Sequence, residues 1–467
     1  MPTEHATFLD EAAIFAALDT GRGADATRVR DVLAKARDLH GLDLADVAAL
    51  TGISDPTLLN ELFQAARHAK ETIYGRRLVL FAPLYVSNLC ANDCAYCAFR
   101  LRNRSVQRRV LTQDEVQREV ETLERQGHKR VLLVAGESYP GEGFDYVLRC
   151  IDTVYATRTP PSGEIRRVNV NVAPLTVEEF RTLAERKIGT YQLFQETYHR
   201  ETYARVHLLG RKRDFDWRAT VMDRAMAAGL VDVGVGILFG LFDWRFEVLA
   251  LLQHAAHLEQ RFGVGPHTIS VPRLEPAIGS DVAAHPPFAV PDIEFRKLVA
   301  ILRLAVPYTG IILSTRETAG IRRETFALGV SQISAGSRTN PGGYTEGEHV
   351  TEEGQQFSLG DHRSLDEVVR DVATLGYIPS FCTGCYRLGR IGKDFMDLAK
   401  PGEIRAHCDP NALSTFQEYL LDYATPETRV TGERLIEDVL AGMGGREATV
   451  ARKLVDQVRV GKRDVYV

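Results

Sequence analysis

No apolar run in this 467-residue chain approaches the ~20 residues that a membrane span requires. Leu78–Val86 is broken by Pro83, and Val233–Phe242 is studded with glycine. A secretory leader is missing too, because residues 1–19 interleave Glu4, Asp10, Glu11 and Asp19 with apolar positions and read as an ordinary amphipathic helix. Nor is there an excess of positive charge: 57 basic against 62 acidic residues leave a net charge of −5, with no footprint for nucleic acid. The glycine-rich spots Gly234-Val235-Gly236 and Gly336-Ser337 match neither a Walker nor a dinucleotide-binding fingerprint. No membrane and no nucleic-acid partner are expected, and the expected location is the cytoplasm.

Cysteine is scarce, and its count of seven is odd. Six of the seven fall into two tight groups, which suits metal binding in a reducing compartment better than a disulfide framework. The seventh, Cys150, sits in the helical stretch Tyr146–Ile151, where a free cysteine acts as a small hydrophobe. The first group spaces its thiols Cys90-x3-Cys94-x2-Cys97. A structural zinc site wants a closed tetrahedral set, and nothing nearby supplies the fourth ligand. Three thiolates can instead hold three irons of a 4Fe-4S cluster and leave the fourth iron open to substrate. The second group, Cys382-x2-Cys385-x22-Cys408, is again one ligand short. His407 is a candidate to complete a zinc site there, so zinc stays open as the alternative at this group.

Between the two groups the pattern is that of a (β/α)8 TIM-type barrel. From Phe8 to about Thr72 apolar residues recur every three or four positions, which predicts an N-terminal helical layer. Short β-branched runs then alternate with amphipathic stretches: Leu78–Val86, Arg130–Ala135, Val168–Val172, Thr190–Gln195, Asp232–Leu238, His267–Pro272, Gly310–Ser314 and Gln332–Ala335. Helices are predicted over Thr112–Gln126, Thr176–Arg186, Asp216–Ala228, Arg245–Phe262 and Asp292–Ala305. The span from Val79 to Gly343 is close to the ~250 residues of such a barrel, whose active site lies at the C-terminal ends of the strands. Cys90, Gly136, Glu137, Asn169, Asn171, Glu196, Arg273 and Arg316 all fall on or after strands in a way that puts them there. His267 opens the sixth run and is the exception.

The Cys-x3-Cys-x2-Cys loop, with Tyr96 before its last cysteine, resembles the radical SAM superfamily. Together with the barrel and the C-terminal Cys-x2-Cys-x22-Cys it is similar to the HydG family, the tyrosine lyases that mature FeFe-hydrogenase. Further similar stretches are Gly163–Asn171, Phe194–His199, Gly265–Leu274 and Gly389–Met396, so the likeness runs from about Thr72 to Tyr423. The family pattern would have threonine at Ile391 and a basic residue at Glu275. Three regions are expected: a helical extension over 1–72, the radical SAM barrel over 73–345, and a mainly helical C-terminal iron-sulfur domain over 346–467.

The resemblance implies two 4Fe-4S clusters. One, on Cys90, Cys94 and Cys97, binds S-adenosylmethionine and generates a radical that cleaves L-tyrosine to p-cresol and dehydroglycine. The other, on Cys382, Cys385 and Cys408, turns dehydroglycine into CO and cyanide, with His267 ligating a fifth iron and free cysteine serving as a further iron ligand. Tyr96, Gly136, Glu137, Asn171 and Glu196 are the implied cofactor contacts, Glu137 meeting the amine of S-adenosylmethionine. For Asn171 and Glu196 a purely structural role is the open alternative. Arginine offers a bidentate fork to a carboxylate, so Arg316 is the candidate for the tyrosine carboxylate, against an ion pair with Glu317. Arg273 and Arg322 stand in reserve. Expected partners are L-tyrosine, a reductant such as ferredoxin or flavodoxin, and other hydrogenase maturation proteins. A thiamine-pathway tyrosine lyase (2-iminoacetate synthase) and a non-catalytic zinc scaffold are the competing readings.

Overall fold

The β-branched runs form eight parallel strands: β1 (Arg77–Ser87), β2 (Arg130–Ala135), β3 (Arg167–Asn171), β4 (Tyr191–Glu196), β5 (Val233–Ile237), β6 (Thr268–Ser270), β7 (Gly310–Leu313) and β8 (Val330–Ser334). The computed structural model describes residues 5–139, 141–346 and 354–467. Residues 1–4 of the expected N-terminal extension, Glu4 among them, and 347–353 near the start of the C-terminal region lie outside the described residues. Each strand pairs with the next in sequence, and β1 pairs with both β2 and β8, which closes the (β/α)8 barrel. Val131, Leu133, Val168, Val170, Val233, Ile269, Ile311 and Ile333 are buried, as strands packed on both faces require.

The helices between the strands start where side chains can satisfy the free amides of the first turn. Thr112 and Glu115 form a capping box at Gln113–Arg125, and Thr176 and Glu179 form another at Val177–Glu185. The predicted helix over Asp216–Ala228 is instead two, Phe215–Ala219 and Val221–Ala227. At the break the Thr220 hydroxyl bonds back to the Asp216 carbonyl at 2.7 Å, an alternative partner that competes with the helical ladder. The N-terminal helices Glu11–Gly21, Ala26–Ala36, Leu44–Thr51 and Pro56–Tyr74 form a layer, three of them resting on the barrel helices Trp244–Phe262 and Asp292–Ala305.

A ninth strand, β9 (Ile378–Ser380), is absent from the sequence expectation. Three residues are too few to carry a period, and one of them is a proline. It pairs with β1 in the register Arg77↔Ile378 and Val79↔Ser380, at the end where the barrel strands begin. The C-terminal region, otherwise mainly helical, is thereby joined to the barrel sheet, and its helix Arg405–Asp422 packs on β9. Glu418 on that helix reaches Arg166 at 2.6 Å, just before β3.

Candidate active site

β1 ends at Ser87, and the chain turns at once through Cys90, Cys94 and Cys97 over the C-terminal mouth of the barrel. The loop is clamped by the segment after β4: Ala95 N–H donates to the Val206 carbonyl at 2.8 Å, Asp93 N–H to Leu209 at 3.0 Å, and Leu208 N–H to Asp93 at 2.9 Å. Tyr96 pairs its hydroxyl with His207 Nε2 at 2.8 Å. Gly136, following β2, lies against the loop so closely that a Cβ there would meet the Leu89 oxygen at 2.1 Å. Gly136→Ala is therefore expected to displace the cysteine loop, costing about 1–3 kcal/mol of stability and most of the iron held there. Iron analysis in a background lacking Cys382, Cys385 and Cys408 checks this, and full iron content would refute it.

The three thiols face one cavity that runs into the barrel and is also lined by Glu137, Asn171, Glu196 and Arg316. Burial raises all three thiols, Cys90 to about 11, so a metal must displace their protons to bind. Among the described residues no three His, Cys, Asp or Glu side chains converge on one point as a single-ion site needs. A cubane makes a different demand, since each thiolate takes its own iron corner. One buried and two half-buried thiols, an open fourth position and a cavity beside them fit a 4Fe-4S cluster with a chelating ligand.

Opposite the thiols is a dense charged network that spacing alone did not reveal. Glu137 accepts from Arg218 at 2.9 Å and from Asn92 at 2.7 Å. Burial pushes its carboxyl up, but Arg218 and Lys212 outweigh that and hold it below the usual carboxylate range. Glu196 ends β4 with a φ of 73°, a left-handed conformation that costs a non-glycine residue roughly 1–3 kcal/mol and needs support. Support comes from Lys212 on its carboxylate at 2.7 Å and from Glu247, which bonds Thr197 and accepts the Tyr198 N–H at 2.8 Å. Neither Lys212 nor Arg218 is marked by spacing in the sequence, yet both are buried. Only the fold turns both inward.

Arg316 follows β7 and projects into the same cavity with its guanidinium 3.2 Å from the Phe357 ring centroid. It has no carboxylate partner among the described residues. The alternative pairing with Glu317 does not form, because Glu317 is bound by Arg273. The reserve candidates are both committed elsewhere: Arg273 also holds Asp292 at 2.8 Å, and Arg322 is fully buried against Asp361 and the Ser334 carbonyl. Asn169 is not at the mouth either. It is buried and accepts from Arg167 at 2.8 Å and from the Thr190 N–H at 3.0 Å.

The second group lies at the other end of the barrel. Cys382 and Cys385 follow β9, and Cys408 lies in the first turn of Arg405–Asp422. The three line a smaller cavity with His267, which stands just before β6 and thus at the N-terminal mouth. The apparent exception among the strand-end residues therefore belongs to the second site. His267 Nε2 pairs with the Tyr386 hydroxyl at 3.0 Å, and its buried Nδ1 makes no hydrogen bond. Cys385 is drawn below the ordinary thiol range by its contact with Cys408 and by Arg390 and Arg77. His407 does not complete this site: it bonds Arg390 at 3.0 Å and is not among the cavity-lining residues. The wall instead carries Arg77 and Arg130, each with a buried nitrogen lacking a partner. Three thiols facing two guanidinium groups, each with one nitrogen left unpaired, fit an anionic occupant such as a thiolate-ligated iron-sulfur cluster.

The chain is similar over most of its length to proteins of known family. Residues 84–252 match the Radical SAM superfamily, and residues 270–378 match the Biotin and Thiamin Synthesis associated domain. The 2-iminoacetate synthase of Escherichia coli (strain K12) is 32% identical over 346 residues, which cover 74% of this chain and 88% of that protein. A crystal structure of HydG, a maturase of the [FeFe]-hydrogenase, superposes with a TM-score of 0.95 at 47% identity, covering 99% of this chain and 100% of the other. The FeFe-hydrogenase maturase HydG from Carboxydothermus hydrogenoformans gives a TM-score of 0.84 at 40% identity, with 96% and 97% covered.

Proposed function

The chain belongs to the HydG-like family of radical SAM enzymes, and we propose that it cleaves L-tyrosine to p-cresol and dehydroglycine at the C-terminal mouth and converts the dehydroglycine to CO and cyanide at the N-terminal mouth. The observation that carries this reading is the placement of two incomplete three-cysteine sites at opposite ends of one barrel. In this reading a 4Fe-4S cluster on Cys90, Cys94 and Cys97 with S-adenosylmethionine supplies one-electron radical chemistry when bound. Glu137, fixed by Arg218 and Asn92, offers a charged acceptor to the amine of S-adenosylmethionine. Glu196, Asn171, Tyr96 and Gly136 shape the rest of that pocket. Arg316, stacked on Phe357, holds the tyrosine carboxylate and so sets the depth of the amino acid in the barrel. The barrel wall shields the reacting centre from water, which suppresses quenching.

At the other mouth, Cys382, Cys385 and Cys408 would hold the second cluster, with His267 and free cysteine as ligands for a fifth iron. The product is an iron complex bearing CO and cyanide that passes to other hydrogenase maturation proteins. A reducing cytoplasm suits seven free cysteines, and among the described residues no helix is long and apolar enough to cross a membrane. The competing 2-iminoacetate synthase reading is supported by the Escherichia coli relative, but it leaves the N-terminal-mouth thiols without a role. The matched Biotin and Thiamin Synthesis associated domain ends at residue 378, short of Cys382.

Two measurements test the proposal together. Anaerobic reconstitution is expected to load about eight or more irons per chain, as two cysteine-ligated cubanes require. Infrared spectra taken after adding tyrosine, S-adenosylmethionine and reductant are expected to show CO bands. Stoichiometric zinc in place of iron would remove the enzymatic reading, and iron with p-cresol but no CO would favour the 2-iminoacetate synthase alternative.

A further inference from the structure

The outer face of the first cysteine loop is built from two segments, residues 100–104 (Arg-Leu-Arg-Asn-Arg) and 205–213 (Arg-Val-His-Leu-Leu-Gly-Arg-Lys-Arg). Both are hydrogen-bonded to Asn92 and Asp93, two of the three residues inside the Cys90–Cys94 spacing. Leu101 N–H donates to the Asn92 carbonyl at 2.8 Å, Leu208 N–H to Asp93 at 2.9 Å, and Lys212 N–H to the Asn92 side chain at 3.0 Å. The segments are therefore neighbours on the surface and separated from the thiols by little more than the loop itself.

Their chemistry is one-sided. Together they hold six arginines and no acidic residue in a chain whose net charge is −5. Arg100 and Arg102 face the buried Asp93 at 2.9 and 3.5 Å. Arg104, Arg205, Arg211 and Arg213 are exposed and have no carboxylate partner among the described residues. The nearest exposed acid in sequence, Asp214, caps the following helix by accepting the Trp217 N–H at 2.9 Å. Amid the arginines two large aliphatic side chains stand in solvent, Leu101 at 50% and Leu208 at 39% exposure. An apolar centre with a charged rim is the anatomy of a protein-docking surface. Unbalanced charge of one sign speeds the encounter with an oppositely charged partner.

We propose that this face docks a small acidic protein carrying a low-potential one-electron cofactor, the electron donor to the Cys90, Cys94 and Cys97 site. The proposal rests on the radical SAM reading of that site. A nucleic acid would also meet the charge, but the surface backs the one loop that must receive an electron from outside, and its leucines suit a protein. In the transfer one electron leaves the donor's reduced cofactor, which is oxidised by one, and enters the cluster, which is reduced by one. No bond or proton changes hands. Electron transfer falls steeply with distance, so the face nearest the thiols is where such a partner gains most.

The test uses the reconstituted full chain and reduced flavodoxin, with cluster bleaching followed by stopped flow at low and raised salt. Arg211→Glu with Arg213→Glu is expected to lower the second-order reduction rate by about tenfold or more at low salt and to flatten its salt dependence. Reduction by dithionite, which needs no docking, is expected to stay unchanged. Arg446→Glu with Lys453→Glu, an equal charge change on the exposed C-terminal helix, is expected to leave the flavodoxin rate near the parent value. An unchanged flavodoxin rate in Arg211→Glu, Arg213→Glu overturns the proposal. So does an equal loss with dithionite, or tight single-stranded oligonucleotide binding that the variant loses while its flavodoxin rate holds. Bleaching is read before any tyrosine is added, so a failure of tyrosine cleavage would count against the proposed function and not against this surface.

Discussion

A Cys382→Ser, Cys385→Ser double variant is expected to form p-cresol from tyrosine at close to the parent rate while its CO output falls below detection. The two cavities share no lining residue. Along β1 the linings approach each other at Val79 and Phe81, but the cysteine groups are held apart by the stretch from Val79, paired with Ser380 just before Cys382, to Ser87, where the upper loop begins, on the order of 25 Å of strand at ~3.3 Å per residue. Neither cysteine touches the network of Glu137, Arg218, Glu196 and Lys212. Serine keeps the size of the side chain but removes the soft thiolate that iron requires, so the fold should persist. The measurement is chromatography of p-cresol beside infrared or haemoglobin-trap assay of CO on the same sample. Parallel loss of both products would show that the mouths do not divide the work.

Replacing Arg316 by leucine is expected to lower kcat/KM for tyrosine by roughly 10²–10³-fold, with binding of S-adenosylmethionine retained. A hydrogen bond to a charged group contributes about 1.5–3 kcal/mol, and a bidentate arginine–carboxylate contact makes two of them. Arg316 is suited to this because its guanidinium is already fixed over Phe357 and is not neutralised by Glu317, which Arg273 has taken. A preset, uncommitted fork loses little entropy on binding. Arg316→Lys is expected to fall between leucine and the parent, since it restores charge without the fork. Steady-state kinetics with tyrosine, beside equilibrium binding of S-adenosylmethionine, decide the matter. An unchanged KM for tyrosine in Arg316→Leu would send the search for the carboxylate contact elsewhere in the barrel.

The strands and the two cysteine groups were legible because their signals are local. A buried parallel strand writes itself as a β-branched run, and a cysteine loop as thiols within a few residues. All eight barrel runs overlap the observed strands. β9 was not legible, because three residues carry no period and its place is fixed by β1 and by the helix Arg405–Asp422. Thr220 broke a helix that hydrophobic spacing alone would continue.

The candidate site was legible in its cysteines and in Glu137, Asn171, Glu196 and Arg316, which the ends of the strands bring to one cavity. It was not legible in Lys212, Arg218, Asn92 or Glu247. Whether an arginine faces solvent or a buried carboxylate depends on which way its helix is rolled, and that is set by packing. His407 shows the converse: adjacent to a cysteine in sequence, it bonds Arg390, because neighbours along a helix point in different directions.

By itself the sequence determined that this is a barrel with two three-cysteine sites, because strand period and thiol spacing are properties of short stretches. Only the tertiary structure decided that the sites sit at opposite mouths, that His267 belongs to the second, and that Arg316 rather than Arg273 or Arg322 is free in the first. Those facts depend on which end of a strand a residue occupies and which charges have already found partners. Both are settled by contacts between residues far apart in the chain.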